Sequence, residues 1–217
     1  MGPFDIAHFL AGLVVLLSFA LLYQDRLPPL INTFAAQSLV LALSVAWQAQ
    51  AQHAPHLLIT AGIEFCFKTI VIPLVLTWTI RNLKIHRTVE IVVSVGPTII
   101  AGIALVGLSM GLMLRAGAGI GNLAHQDMAF ALSVVLLGLL MMVTRRNAVS
   151  QVIGFMSIEN GLVLAATGAR GMPFVVETCV AFSVLVVLIV IGIFLFRIRE
   201  RFDSVDVALI DSFRGER

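Results

Sequence analysis

The fold is decided by residues 148–168, AVSQVIGFMSIENGLVLAATG, which form one long apolar run with a single charged residue, Glu159, near its middle. About 20 such residues make a helix that crosses the hydrocarbon core of a bilayer. Arg145 and Arg146 precede the run, and the turn Gly171-Met172-Pro173 follows it. The stretch therefore predicts a transmembrane helix that carries a carboxyl group inside the membrane.

The composition of the whole chain also indicates that the lipid bilayer surrounds it. Hydrophobic residues make up 59% of the 217 positions and charged residues only 12%, whereas about one quarter of an average soluble domain is charged. The formal net charge is +2, and the basic residues are spread over loops, so no nucleic-acid partner is expected. The first residues lack the basic region of a signal peptide, and the first apolar run is expected to be retained.

Similar apolar runs recur along the chain, separated by short stretches rich in Pro, Gly and Asn. They predict about seven transmembrane helices, near residues 5–23, 28–48, 56–80, 90–114, 127–144, 148–168 and 173–196. We therefore predict an all-α, polytopic membrane protein. Its single transmembrane domain covers residues 1–198, and residues 199–217 form a cytoplasmic tail.

The orientation follows from the basic residues, because cytoplasmic loops near helix ends carry an excess of Lys and Arg. In a seven-span topology Arg115 and Arg170 fall on one side. Nine basic residues fall on the other side: Arg26, Arg81, Lys84, Arg87, Arg145, Arg146, Arg197, Arg199 and Arg201. This bias predicts an N-terminus outside and a C-terminus in the cytoplasm.

Two acids stand on neighbouring predicted helices. Glu159 is 11 residues into its helix, roughly 16 Å from the cytoplasmic end. Glu177 lies about one turn into the next helix. The turn at Gly171-Met172 makes the two helices antiparallel, so their carboxyl groups are expected to face each other with an axial offset of roughly 5–10 Å. Because ionisable groups in a bilayer usually line a polar pathway or pair with a partner, both acids are candidate proton carriers.

Glu64 and Lys68 form a second polar element on the third predicted span. Their spacing of four places them on one face of a helix, where they can pair. Burial penalises the charged form of each group, which suits both to proton exchange near neutral pH. Pro73 cannot donate a backbone hydrogen bond and is expected to allow a kink or a water nearby.

Structural interpretations stand beside these functional ones. A Glu–Lys pair inside a membrane can simply satisfy itself, and buried polar residues also hold helices together. Gln37 and Ser183 fit that adhesive role. Cys66 and Cys179 lie inside apolar spans without a CxxC motif, which indicates packing thiols and no metal site.

The histidines leave open a different kind of protein. His8, His53 and His56 fall at the predicted outer face, and two of them on different helices could ligate a haem. No nucleotide-binding loop and no nucleophile motif occurs, so no catalytic residues and no cofactor-binding residues are predicted in this chain.

The residue patterns resemble a known family. The run RRNAVSQVIGFMSIENG at residues 145–161 and the run GMPFVVE at residues 171–177 are similar to hydrogenase-4 component E, a membrane subunit of formate-hydrogenlyase-type complexes. The runs INTFAAQSLV at 31–40 and KTIVIP at 68–73, and the tail from Arg197 to Asp206, fit the same family.

The resemblance implies a role for particular residues. The later helices of that family are similar to the small K-type subunit of complex I, whose two membrane glutamates belong to the proton path. These correspond to Glu159 and Glu177 here. An acid often stands in the family at the position of Ser183, and its absence puts tight proton coupling in doubt.

The resemblance also implies partners and a location. It implies antiporter-like and quinone-module-like membrane subunits, together with cytoplasmic hydrogenase and iron–sulfur subunits that would hold the nickel–iron and iron–sulfur cofactors. The expected site is the cytoplasmic membrane of a bacterium or archaeon. The leading hypothesis is a non-catalytic subunit of a complex-I-like group 4 hydrogenase that conducts protons and anchors the membrane arm. The alternatives are a purely structural scaffold, a haem-bearing subunit and a small free-standing transporter.

Overall fold

The structure is a computed structural model and describes residues 3–82, 92–116, 122–168 and 185. The proposed carrier Glu177, the departure at Ser183, Cys179, the span at 173–196 and the tail at 199–217 all lie outside the described residues. The seventh helix and the placement of both termini therefore stay predictions.

The described residues form helices and no strand, which confirms the all-α class. The helices are α1 (Pro3–Tyr23), α2 (Leu27–Ala51), α3 (His56–Ile63), the π-helix π1 (Glu64–Val71), α4 (Ile72–Asn82), α5 (Val95–Ala116), α6 (Asn122–Thr144) and α7 (Ala148–Gly168). The segments α3, π1 and α4 follow one another without a break, so together they make one long span.

Six helices are long and apolar enough to cross a membrane, which confirms six of the predicted spans. They are Asp5–Tyr23, Leu27–Ala51, His56–Arg81, Val95–Arg115, Asp127–Thr144 and Ala148–Gly168. The largest difference from the prediction is the fourth span, which begins at Val95 and not at residue 90.

Local chemistry explains several helix boundaries. Prolines occupy the first turn of α2, where a missing backbone N–H costs nothing. The α2–α3 turn places His53 in the left-handed region at φ 53°, which is uncommon for a residue other than Gly. At the start of α7, the Asn147 side-chain oxygen accepts a 2.9 Å hydrogen bond from the Val149 backbone N–H and so caps the helix.

Contacts at the two ends of α1 show how the helices run. His8 near the start of α1 contacts Asp127 near the start of α6, and Leu22 near the end of α1 contacts Arg145 just beyond α6. Helices α1 and α6 are therefore parallel. Gln52, just after α2, donates to the Thr167 carbonyl near the end of α7. Since Gln37 in mid-α2 also contacts Ser157 in mid-α7, α2 and α7 are parallel to each other.

The closest helix packing joins α6 to α7 through glycines. A methyl group added at Gly161 would lie 2.9 Å from the Ala131 carbonyl oxygen, and one at Gly138 would lie 2.9 Å from the Gly154 carbonyl oxygen. Small residues let the backbones of membrane helices approach closely. This packing places one side of α7 against α6, and Gln37 of α2 contacts α7 through Ser157 and Asn160.

Candidate functional site

A buried ionic cluster lies in the middle of the described bundle. The Lys68 ammonium Nζ is 2.8 Å from Glu64 Oε2 and 3.4 Å from Glu159 Oε1. The side chains of Lys68 and Glu64 are fully buried, and that of Glu159 is 2% exposed. We name Glu64, Lys68 and Glu159 the ionic cluster.

A third acceptor completes the surroundings of the ammonium group. Lys68 Nζ donates a 3.1 Å hydrogen bond to Asn160 Oδ1. A lysine ammonium has three N–H donors and no acceptor, so the oxygens of Glu64, Glu159 and Asn160 match its capacity. This arrangement suits a charged lysine, because three oxygen atoms lie within 3.4 Å of the buried ammonium group.

Hydrogen-bonded polar side chains extend from Asn160 toward α1. Asn160 Nδ2 donates to Gln37 Oε1 at 3.3 Å, and Gln37 Nε2 donates to the hydroxyl oxygens of Ser18 at 2.7 Å and Ser157 at 3.0 Å. Ser18 in turn donates to the Val14 backbone carbonyl at 2.9 Å. Every one of these polar side chains is at most 2% exposed. We name Asn160, Gln37 and Ser18 the amide chain.

Two separate spans build the ionic cluster. Glu64 and Lys68 are four residues apart on π1 and face α7 from the third span. Glu159 and Asn160 are consecutive on α7, and Glu159 is 11 residues from Ala148, which is roughly 16 Å along the axis. The cluster therefore lies near the middle of each helix that contributes to it.

The π-helical geometry occurs at the ion pair itself. Residues Glu64–Val71 are π-helical, and the regular α-helix resumes at Ile72, one residue before Pro73. This segment lies on the N-terminal side of Pro73, and the kink or water expected near that proline stays a prediction. π-Helical turns are rare and frequently occur at functional sites. The position of π1 therefore supports a functional role for the ion pair.

The structure brings Glu64, Lys68 and Glu159 into one cluster, whereas the sequence predicted two separate polar elements. The pairing of Glu64 with Lys68 follows from their spacing. Glu159 had no cation at its depth within its own predicted hairpin, yet Lys68 reaches it from the third span. Sequence reasoning missed Asn160 as a ligand of the ammonium group, although its position beside Glu159 offered a signal.

Polar residues also meet at the two ends of the bundle. At one end His8 Nδ1 and Asp127 Oδ1 are 2.5 Å apart and link α1 to α6. His53 and His56, the other two histidines considered as haem ligands, are exposed. Within the described ranges no group of three metal-ligating side chains occurs.

Arg145 marks the opposite end. Its guanidinium group is almost fully buried and donates a 2.6 Å hydrogen bond to the Leu22 carbonyl at the end of α1. Burial lowers the pKa of Arg145, and the carboxylate of Asp25 partly offsets this. The side chain ties the ends of α1 and α6 together, and a cation there complements the helix C-termini.

Comparison with known proteins shows a similarity that covers nearly the full length of this chain. Hydrogenase-4 component E of Escherichia coli is 29% identical over 214 residues, covering 97% of this chain and 98% of that protein. The resemblance to this family is confirmed. Hydrogenase-4 component E of Shigella flexneri matches with the same identity and coverage. The uncovered remainder is shorter than one transmembrane helix, so the similarity takes in the spans that build the ionic cluster.

A shorter similarity involves an uncharacterized protein of Mycobacterium tuberculosis, which is 39% identical over 87 residues, or 39% of each chain. No family model matches the chain, and no solved structure matches it. The relation to hydrogenase-4 component E therefore rests on the sequence similarity.

Proposed function

We propose that this chain is a non-catalytic membrane subunit of a hydrogenase complex of the hydrogenase-4 type, and that its ionic cluster carries protons within the membrane arm. The observation that supports the proton role is the ammonium group of Lys68 between two carboxyl groups from different spans, Glu64 and Glu159, at mid-helix depth. The similarity to hydrogenase-4 component E supports membership of the complex.

The charge balance of the ionic cluster explains how it would handle protons. Among the described residues, it contains two carboxyl groups and one ammonium group, so with all three ionised it carries one excess negative charge. Charge at mid-membrane depth is costly, on the order of 3 kcal/mol per group on insertion scales. Uptake of one proton removes the excess charge, and Lys68 lies close enough to both acids to stabilise whichever one stays ionised.

Other parts of the proposal concern the partners. Antiporter-like and quinone-module-like subunits would lie beside this chain in the cytoplasmic membrane, and the chain would help to anchor the membrane arm. Cytoplasmic hydrogenase and iron–sulfur subunits would hold the nickel–iron and iron–sulfur cofactors and perform the redox chemistry. Glu177 is proposed as a further proton carrier, next along the chain after Glu159.

A purely structural role is the second candidate, and one observation favours it. The ionic cluster and the amide chain together link α1, α2, π1 and α7 through buried hydrogen bonds. Polar contacts of this kind hold membrane helices together. In that case the cluster would stabilise the subunit and no proton would pass through it.

Proton flux through the assembled complex distinguishes the two roles. The complex is reconstituted into liposomes that contain a pH-sensitive dye, and a potassium diffusion potential drives protons inward without any electron donor. Glu159→Gln keeps the size of the side chain but removes its ability to ionise. We expect this variant to lower the flux at least tenfold, a barrier increase of about 1.4 kcal/mol.

The matched control is Asp5→Asn, which makes the same carboxyl-to-amide change at an exposed residue near the start of α1. We expect its flux to equal that of the wild type. If Glu159→Gln complexes assemble normally and conduct as well as the control, the proton role is wrong and the structural role replaces it.

A further inference from the structure

We infer that Gln37 and Ser18 are positioning residues, which act through Asn160 to fix the side-chain oxygen of that residue toward Lys68. This inference rests on the proposed proton role of the ionic cluster. It assigns a function to the amide chain, whose described hydrogen bonds join Gln37 and Ser18 to the cluster only through Asn160.

The hydroxyl of Ser18 has a single proton. That proton is donated to the Val14 carbonyl one turn earlier on α1, a common arrangement for serine in a helix. The Ser18 oxygen can then only accept a further hydrogen bond. At 2.7 Å from Ser18, the Gln37 side chain must therefore present its NH₂ group.

The orientation passes from Gln37 to Asn160. With its NH₂ group toward α1, Gln37 presents its oxygen to Asn160. The NH₂ group of Asn160 must therefore donate the hydrogen bond to that oxygen, at 3.3 Å. The Asn160 oxygen then faces Lys68 at 3.1 Å. A carbonyl fixed in the backbone of α1 thus determines which end of an amide on α7 meets the ammonium group.

The reverse orientation would be unfavourable for a charged lysine. If Asn160 turned over, its NH₂ group would face the Lys68 ammonium, and two donors would oppose each other between fully buried side chains. The hydroxyls of Ser157 and Ser38 accept from Gln37 and Asn160. They cannot prevent the reversal by themselves, because each hydroxyl can rotate and either accept or donate. Ser18 is different, since its proton is already committed to Val14.

The amide chain orients the ionic cluster but is not a second proton path. Amide groups of Asn and Gln do not take up protons near neutral pH, and the chain ends at a backbone carbonyl. Its effect should therefore appear as a change in the pH dependence of proton flux through the cluster, while the path itself is unchanged.

The test measures the pH profile of proton flux in the reconstituted complex for four single variants of the amide chain and one double variant. Gln37→Met removes the link, Ser18→Ala releases the orientation, and Ser18→Thr keeps the hydroxyl. We expect the half-maximal pH of Gln37→Met to move about one unit toward acid, the effect of losing one hydrogen bond to a charged group. Ser18→Ala should move it by less, and Ser18→Thr should match the wild type.

The fourth variant separates positioning from a general structural effect. Asn160→Ala has no amide to orient, so adding Gln37→Met to it should cause no further shift. A second shift of the same size, or an unshifted profile in both Gln37→Met and Ser18→Ala, would overturn the inference. If Gln37→Met fails to assemble, the pair Ser18→Ala and Ser18→Thr decides the question.

The result for Glu159→Gln keeps the two proposals apart. If Glu159→Gln conducts like the wild type, the proton role itself fails. If Glu159→Gln blocks flux while the variants at Gln37 and Ser18 keep the wild-type profile, the proton role stands and only the positioning role is wrong.

Discussion

Removal of the ammonium group from the ionic cluster should destabilise the chain strongly. Lys68→Met keeps the length and apolar stem of the side chain but removes the cation that contacts both buried carboxyl groups, Glu64 and Glu159. Breaking a buried ion pair from one side typically costs about 3–5 kcal/mol. At about 2–4 °C per kcal/mol for a chain of this size, the apparent melting temperature should fall by about 10 °C.

The assay follows the melting of the purified full chain in a mild detergent, by the loss of its monodisperse peak on size-exclusion chromatography after heating. Arg115→Met is the matched control, because it removes a positive charge from an exposed side chain on α5. We expect the control to melt within about 2 °C of the wild type, since surface substitutions usually change stability by less than about 0.5 kcal/mol.

A variant that also neutralises the two carboxyl groups should restore stability. The triple change Lys68→Met, Glu64→Gln and Glu159→Gln removes all three ionisable groups, and neutral replacement of a buried ionic triad is often tolerated. It should recover most of the lost melting temperature. Two results would refute this explanation of the cluster energetics. One is a melting temperature of Lys68→Met equal to that of the Arg115→Met control. The other is a melting temperature of the triple variant no higher than that of Lys68→Met alone.

Two further predictions concern helix packing. Gly161→Ala should lower the melting temperature by several degrees, because the added methyl group would lie 2.7 Å from Val135 Cγ2. Overpacking of this kind costs about 1–3 kcal/mol. The control is Gly107→Ala, at a position with open space. Ser109→Ala should cost about 1 kcal/mol, since the Ser109 hydroxyl donates a 2.7 Å hydrogen bond from α5 to the Ala129 carbonyl of α6. Wild-type melting in Gly161→Ala or Ser109→Ala would show that these contacts do not hold the helices.

The sequence predicted those features that depend on local pattern. Six spans were located because a run of about 20 apolar residues is a strong signal, and their ends mostly agree within a few residues. The pairing of Glu64 with Lys68 was predictable for the same reason, since residues four apart on a helix are neighbours.

The sequence did not predict contacts between helices that are distant along the chain. Lys68 and Glu159 are 91 residues apart, and nothing in the local pattern indicates that α7 lies against π1. Gln37 was predicted to form hydrogen bonds between helices, but its link from Ser18 to Asn160 was not predicted, because the direction of a side-chain amide depends on partners from other spans. The π-helical geometry of Glu64–Val71 also had no direct signal beyond the nearby Pro73.

Membership of a hydrogenase complex is tested most directly by the proteins that purify with this chain. A C-terminal affinity tag is added at the native locus, the membranes are extracted in a mild detergent, and the co-purifying proteins are identified by mass spectrometry, with an absorption spectrum of the same sample. The account predicts antiporter-like membrane subunits together with nickel–iron and iron–sulfur subunits. Recovery of the intact chain alone would contradict it and favour a free-standing transporter, and a haem band would favour an electron-transfer subunit.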